Sequence, residues 1–137
     1  MRVISLLLAG GLLASCTTAP PQAPMRTANK QLELQQLLNG KVAQAPISCL
    51  PHYYANDMRI IDENTVVFRN GSSRVYVAHL NGGCSGLGNG YTTLVTRQFG
   101  TADLCTGQIA TVVDPATRSM VGSCSFESFQ PFVRPGA

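Results

Sequence analysis

The sequence predicts a mainly β domain, either a small antiparallel barrel or a sandwich, with one short N-terminal helix and two disulfides. Short segments rich in Val, Ile, Tyr and Thr alternate with Gly, Pro, Asn and Asp, as strands joined by tight turns do. Only one segment has helical periodicity. An even number of cysteines is spread across the strand-rich part of the chain: Cys49, Cys84, Cys105 and Cys124.

A short helix is predicted before the strands, at Asn29–Asn39. Asn29 can cap its first turn, and Gly40 is a stop signal. Three leucines share one face at helical spacing: Leu34, Leu37 and Leu38. We expect residues 29–45 to form this helix and a linker that close one end of the domain. A docking helix for a partner is the alternative.

The β domain is expected at residues 46–133, followed by a tail at 134–137. Asn70-Gly71 predicts a two-residue hairpin turn, because both residues tolerate a positive φ. That turn would pair Val66 with Val75. It would also place Val66, Phe68, Val75 and Val77 on one face. The predicted strands are Met58–Ile61, Thr65–Phe68, Arg74–Leu80, Tyr91–Thr96, Gln108–Val113 and Met120–Phe126.

The four cysteines of the β domain predict two disulfides, since an exported domain meets an oxidising compartment. Of the three possible pairings, we expect Cys84–Cys105 and Cys49–Cys124. The first pair flanks one strand, and the second would join the first and last strands. Zinc is the alternative, because Cys49 and His52 have a ligand-like spacing, but no second close pair accompanies them. We therefore expect no metal and no cofactor.

The N-terminus has the order of features of an export signal. Arg2 precedes the apolar run Val3–Leu13, which is too short to span a bilayer, and Leu13-Ala14-Ser15 precedes Cys16. This order resembles the lipobox of bacterial lipoproteins, which are cut just before a cysteine that then carries lipid. The resemblance implies a signal peptide at residues 1–15. An ordinary secretory signal is the alternative.

After that cut, Cys16 would anchor the protein and residues 16–28 would carry the lipid and form a proline-rich tether. Lipoproteins that stay in the inner membrane commonly have Asp after the cysteine. Thr17 stands here, so the resemblance favours the outer membrane, periplasmic face. The runner-up localisation is the periplasm or the medium.

Charge and motifs point away from several function classes. The chain has 10 basic and 7 acidic residues, and the basic ones are scattered singly, so no nucleic-acid partner is expected. The glycine-rich stretch Gly82–Gly90 lacks both a Walker end and a nucleophile elbow. His79 has the strand parity of Val75 and Val77 and is expected to point inward, as a core histidine. No residue is predicted to be catalytic.

The stretch Gly82–Gly90 is nevertheless the candidate binding loop. It is long for a hairpin, and a disulfide at Cys84 would leave its centre displayed. The predicted binding residues are Ser85, Leu87 and Asn89, with Leu87 as an apolar anchor for a partner. The alternative is that Leu87 folds back into the core.

A set of short motifs resembles an uncharacterised family of short exported proteobacterial proteins, many of them lipoproteins. The likeness covers about Pro46 to Val133 and strengthens the fold and disulfide predictions. In that family an acidic residue is expected where this chain has Gln108. The motifs are Ile47-Ser-Cys49, Arg59-Ile60-Ile61-Asp62, Thr65-Val66-Val67, Tyr76, Cys84-Ser85-Gly86-Leu87, Leu104-Cys105-Thr106-Gly107-Gln108-Ile109, Cys124, Phe129 and Phe132.

These observations predict a lipid-anchored cell-envelope protein with a non-catalytic binding or structural role. Its partners would be the membrane, through Cys16, and an envelope protein. The first alternative is a periplasmic inhibitor of a lysozyme-like enzyme, or a protective factor against it, which would insert Leu87. The second alternative is a small hydrolase or metal-binding protein, built around His79 and two carboxylates.

Overall fold

The computed structural model of the protein describes residues 26–50, 57–82, 84–97 and 103–137. The mainly β prediction is confirmed: a single helix accompanies an antiparallel sheet curled into a half-barrel. The elements are α1 Ala28–Leu38, β1 Val42–Ala43, β2 Cys49–Leu50, β3 Met58–Asp62, β4 Thr65–Asn70, β5 Arg74–Asn81, β6 Thr93–Thr96, β7 Leu104–Cys105, β8 Ile109–Asp114 and β9 Ser119–Val133.

The central strand of the sheet is β9, which at 15 residues is longer than predicted. The strand order is β3-β4-β5-β9-β8-β6, with β1 also paired to β9. The first part of β9 pairs with β8, from Ser119 to Ser125, and the last part pairs with β5, from Ser125 to Val133. One strand therefore joins the two halves of the sheet.

The β4–β5 hairpin has a different register from the one predicted. Asn70 pairs with Arg74 and Phe68 with Tyr76, so the loop has three residues, beginning with Gly71 at φ 67°. The predicted pairing of Val66 with Val75 is therefore wrong. Both strands are apolar on both faces, so the sequence pattern could not specify the register.

Each face of the sheet carries its own apolar cluster. The inner cluster fills the concave side and includes Phe126 stacked on Phe129, with ring centroids 5.4 Å apart. The outer cluster lies on the opposite face, and Leu34 is the buried contribution of α1 to it. The strand members of the outer cluster are Ile61, Val67, Val75 and Val77.

Polar contacts fix the start of α1 on the sheet. Thr27, rather than the predicted Asn29, caps the helix: its hydroxyl accepts the N–H of Lys30 at 3.4 Å. Arg26 Nε donates to Asp62 Oδ2 at 2.6 Å, and its Nη2 donates to Thr65 Oγ1 at 3.0 Å. The chain therefore joins the domain beside the β3–β4 turn. In the described parts of the chain, no helix is long and apolar enough to cross a membrane.

Asp114 stabilises the β8–β9 turn, where Asp114-Pro115 is a turn signal in the sequence. Its carboxylate accepts the backbone N–H of Ala116 at 2.8 Å and that of Thr117 at 3.3 Å. These two hydrogen bonds lower the pKa of Asp114, because they stabilise the charged form. Stabilisation of the turn is therefore a sufficient explanation for an aspartate at position 114.

Two disulfides form, as predicted, but with another pairing. Cys49 joins Cys105, which lies opposite it in the small β2–β7 ladder, and Cys84 joins Cys124 of β9. The expected pairs Cys84–Cys105 and Cys49–Cys124 are wrong. In the sheet, β9 lies directly beside β5, so Cys84, three residues after the end of β5, reaches Cys124.

Candidate functional site

The predicted binding loop Gly82–Gly90 lies against the sheet. Leu87 is only 3% exposed and belongs to the inner cluster, and its N–H donates to Cys84 O at 2.8 Å. The alternative in which Leu87 folds back is confirmed, and its predicted role as a displayed anchor is wrong. The inhibitor hypothesis needed this side chain to be displayed, so it loses its only candidate residue.

The rest of the loop is attached to its neighbours. Cys84 N–H donates to Glu63 O at 3.1 Å, and Gly86 N–H donates to the Glu63 carboxylate at 3.1 Å. A Cβ at Gly122 would lie 2.8 Å from Ser85 O, so the loop backbone lies directly on β9. Below, the described residues of this stretch, Gly82 and 84–90, are called the glycine-rich connection.

Ser85 and Asn89 are exposed, as a binding role requires, but the side chain of Asn89 has a structural role in the loop. Its side-chain oxygen accepts the backbone N–H of Tyr91 at 2.8 Å and that of Thr92 at 3.2 Å. This is the Asx-turn chemistry common in loops. Of the three predicted binding residues, only Ser85 has an exposed side chain that does not stabilise the loop.

His79 lies at an exposed position, and Gln108 makes a local hydrogen bond. His79 is exposed, so the prediction that it points inward is wrong, and His52 lies outside the described residues. Across residues 26–50, 57–82, 84–97 and 103–137, no three His, Cys, Asp or Glu side chains are grouped as metal ligands. Gln108 Oε1 accepts the N–H of Cys105 at 3.2 Å, which gives this position a structural role.

A larger concave site lies at one end of the inner face. It has a volume of about 760 Å³, within the range of small-molecule sites. Four segments line it: residues 42–47, the start of β5, the end of β9, and residues 134–137. We call this site the C-terminal groove.

Strand register explains why these segments share one face. Arg74 and Val42 both pair with Val133, and Tyr76 pairs with Pro131 two residues along β9. Side chains two residues apart on a strand point to the same side, so the lining of the groove continues the inner face.

Hydrogen bonds hold the remaining walls of the groove. Arg134 N–H donates to Ser73 O at 2.8 Å, and Ala137 N–H donates to Arg134 O at 3.3 Å. The residues predicted as a tail therefore fold back beside the groove. On the other wall, Gln44 N–H donates to Pro131 O at 2.8 Å, and the Gln130 amide donates to Gln44 O.

The groove contains hydrogen-bond donors without protein partners. In the part of the chain that the structure describes, the guanidinium groups of Arg74 and Arg134 form no ion pair or hydrogen bond. The Tyr76 hydroxyl also has no hydrogen-bond partner among those residues, although Tyr76 is only 3% exposed. An unpaired buried hydroxyl costs free energy, so this end of the groove is suited to an acceptor supplied from outside.

A second pocket, of about 360 Å³, lies near the end of α1. Unlike Arg74 and Arg134 in the groove, two of the cations that line it have protein partners. Arg69 Nε lies 3.5 Å from Asp57 Oδ2, and Lys41 Nζ donates to Leu37 O at 2.8 Å. The C-terminal groove is therefore the better candidate for an external ligand.

Sequence reasoning did not find the groove. Its lining comes from the predicted linker, the predicted tail and a hairpin whose register was predicted incorrectly. Two isolated arginines 60 positions apart, Arg74 and Arg134, give no local signal. Comparison with protein families, with curated proteins and with solved structures finds no match for this chain. The resemblance to exported proteobacterial proteins stays a prediction.

Proposed function

We propose that the chain is a lipid-anchored cell-envelope protein with a non-catalytic binding or structural role, held by Cys16 at the periplasmic face of the outer membrane. The observation that carries this proposal is the use of the cysteines. The chain has five, and four of them pair with one another in the β domain. Cys16 is the fifth, and it directly follows the export-signal pattern.

The two disulfides support an oxidising compartment, because such bonds persist outside the reducing cytosol. The Arg26–Asp62 ion pair supports a tether, since it marks where the chain joins the sheet. Arg26 lies ten positions after Cys16 in the sequence. When fully extended, the stretch from Cys16 to Arg26 would span at most about 35 Å, which is enough to hold the domain clear of lipid headgroups.

The anchoring test compares Cys16→Ser with Thr18→Ser, a control of similar size outside the lipobox. Cells are labelled with a fatty-acid analogue, and their membranes are then fractionated. We expect the unmodified chain and Thr18→Ser to carry label and to sediment with the outer membrane. Cys16→Ser should carry no label and leave the membrane fraction. Membrane retention of an unlabelled Cys16→Ser protein would disprove lipid anchoring.

A second variant tests the sorting claim separately. Thr17→Asp should move the labelled protein to the inner membrane, because Asp after the lipidated cysteine commonly causes retention there. Thr17→Ser is the matched control and should remain in the outer membrane. If Thr17→Asp leaves the distribution unchanged, the outer-membrane assignment fails while lipidation itself stands.

A further inference from the structure

We propose that the C-terminal groove binds a long-chain carboxylate, with the charged head at Arg74 and Arg134 and the apolar chain along the inner face. This ligand class goes beyond the proposed function and does not depend on lipid at Cys16. Three features of the groove carry the inference: its charge, its buried hydroxyl, and the apolar lining that continues from its charged end along β9.

The positive charge of the groove favours a negatively charged ligand. Arg74 and Arg134 lie at the same end of the groove, because Arg74 pairs with Val133 and Arg134 N–H donates to Ser73 O. Neither guanidinium has an acidic partner among the described residues. Two unpaired cations at one end of a concave site favour an anion, and guanidinium groups fit the planar carboxylate well.

The Tyr76 hydroxyl supplies a third donor next to this pair. Tyr76 follows Arg74 by two residues on β5, so both side chains point to the same face. Tyr76 lines the groove and is 3% exposed, yet its hydroxyl has no partner among the described residues. A carboxylate has two oxygens that accept several hydrogen bonds, enough for both guanidinium groups and the phenol.

The rest of the lining is suited to an aliphatic chain. Away from the arginines, it continues to Ile47, which pairs with Phe129. Residues 129 to 133 of β9 span about 14 Å at the usual rise of an antiparallel strand. The other apolar residues of the lining are Val42 and Val133 beside Arg74, Ala45 and Pro131 farther along, and Pro135 and Ala137 after β9.

The lining is less suited to a peptide than to an aliphatic chain. A peptide presents alternating backbone donors and acceptors, all of which need partners. Pro131 and Pro135 line the groove and have no N–H to offer. A carboxylate head needs donors only at one end, which is where Arg74, Arg134 and Tyr76 are placed.

The test uses calorimetry on the full mature chain, residue 16 onward, with Cys16→Ser so that no detergent competes. Every described residue is kept. The probes are decanoate below its micelle-forming concentration, 1-decanol of the same chain length below its solubility limit, acetate, and an acetylated tripeptide with an apolar free C-terminus. We expect decanoate to bind one to one, at least about tenfold more tightly than decanol, since a charged hydrogen-bonded head is lost in the alcohol. Acetate, which lacks the chain, should bind more weakly than decanoate.

The variants locate the head of the ligand. Arg74→Gln and Arg134→Gln should each weaken decanoate binding by about tenfold, and Tyr76→Phe should weaken it by a smaller factor. Arg59→Gln is the matched control: it removes the same charge from an exposed position that lines the smaller pocket. The affinity of Arg59→Gln for decanoate should equal that of the parent chain. Thermal melts confirm that each variant is folded.

Several results would overturn the proposal. Absence of decanoate binding would end it, as would equal affinities for decanoate and decanol. Equal losses in Arg59→Gln and Arg74→Gln would show a general charge effect rather than a site. Tighter binding of the tripeptide would assign the groove to a peptide C-terminus instead. None of these outcomes bears on lipidation, which the labelling of Cys16 tests separately.

Discussion

The glycine-rich connection and the C-terminal groove use their polar groups in opposite ways. In the connection, Glu63 accepts from the N–H groups of Cys84 and Gly86, and Thr92 Oγ1 donates to Gly86 O at 2.7 Å. In the groove, the Arg74 guanidinium and the Tyr76 hydroxyl form no hydrogen bond or ion pair among the described residues. A glycine-rich composition therefore does not make a segment available to a ligand. Unpaired polar groups beside apolar surface are the better indicator.

This contrast makes a general prediction. Substitutions at the connection should lower the free energy of unfolding, because Cys84 and Leu87 belong to the inner cluster and the backbone at Ser85 lies on β9. Substitutions at the groove should leave stability nearly unchanged. The following variants test the contrast by urea unfolding, beginning with the largest expected effect.

Removing the disulfide that holds the connection should have the largest effect. Cys84→Ser with Cys124→Ser opens a crosslink between residues 40 apart in sequence, which the chain-entropy model values at about 4 kcal/mol. Cys84 is fully buried, so the introduced hydroxyl adds to the loss. The control is a thiol assay on the parent chain, which should find no free thiol from the four domain cysteines. Free thiols there would contradict the disulfide assignment itself.

The two disulfides should also differ in accessibility to reductant. Cys49 is exposed, whereas Cys84 is 0% exposed and Cys124 is 7% exposed. Under a low concentration of reductant, alkylation followed by peptide mapping should label Cys49 and Cys105 first, because thiol–disulfide exchange requires access to a sulfur atom. Earlier labelling of Cys84 would show that the connection opens more readily than its packing implies.

Truncating Leu87 should give the next largest effect. Leu87→Ala removes a buried side chain from the inner cluster and should cost about 2–5 kcal/mol. Val42→Ala is the control in the groove: Val42 is 54% exposed, so its loss should be well under 1 kcal/mol. Comparable losses at the two positions would remove the distinction between the regions.

A single methyl group at Gly122 tests the close approach of the connection to β9. In Gly122→Ala the new Cβ would lie 2.8 Å from Ser85 O, closer than real Cβ contacts. The backbone must shift, at an expected cost of about 1–3 kcal/mol. Ser123→Ala, at the exposed neighbouring residue, should change stability by less than about 0.5 kcal/mol. A neutral Gly122→Ala would mean that the connection is free to move.

The smallest effects are expected at the groove arginines. Arg74→Gln and Arg134→Gln remove no intramolecular partner and should change stability by less than about 0.5 kcal/mol. Arg26→Gln is the contrast, because it breaks the partly buried ion pair with Asp62 and should cost about 1 kcal/mol. If the groove variants destabilise as much as Arg26→Gln, these guanidinium groups serve the fold rather than a ligand.

Local sequence signals were sufficient for α1 and for the longer strands, but they missed β1, β2, β7 and the second half of β9. The leucines of α1 and the β-branched segments of β3, β4 and β5 have periodicities that depend on near neighbours only. The turn at Asp114 was also predictable, since the side chain that shapes it is in the turn itself. The oxidised state of the four domain cysteines followed from their even number and the export signal.

Tertiary structure alone decided the register, the disulfide pairing and the groove. The sequence could not specify the hairpin register, because β4 and β5 are buried on both faces. The pairing of Cys84 with Cys124 depends on the central place of β9, which no local pattern encodes. The groove combines residues 42–47, Arg74, Tyr76 and the chain end. The physical reason is the same each time: local patterns report which faces are buried, whereas the energy of burial and pairing determines which distant segments meet.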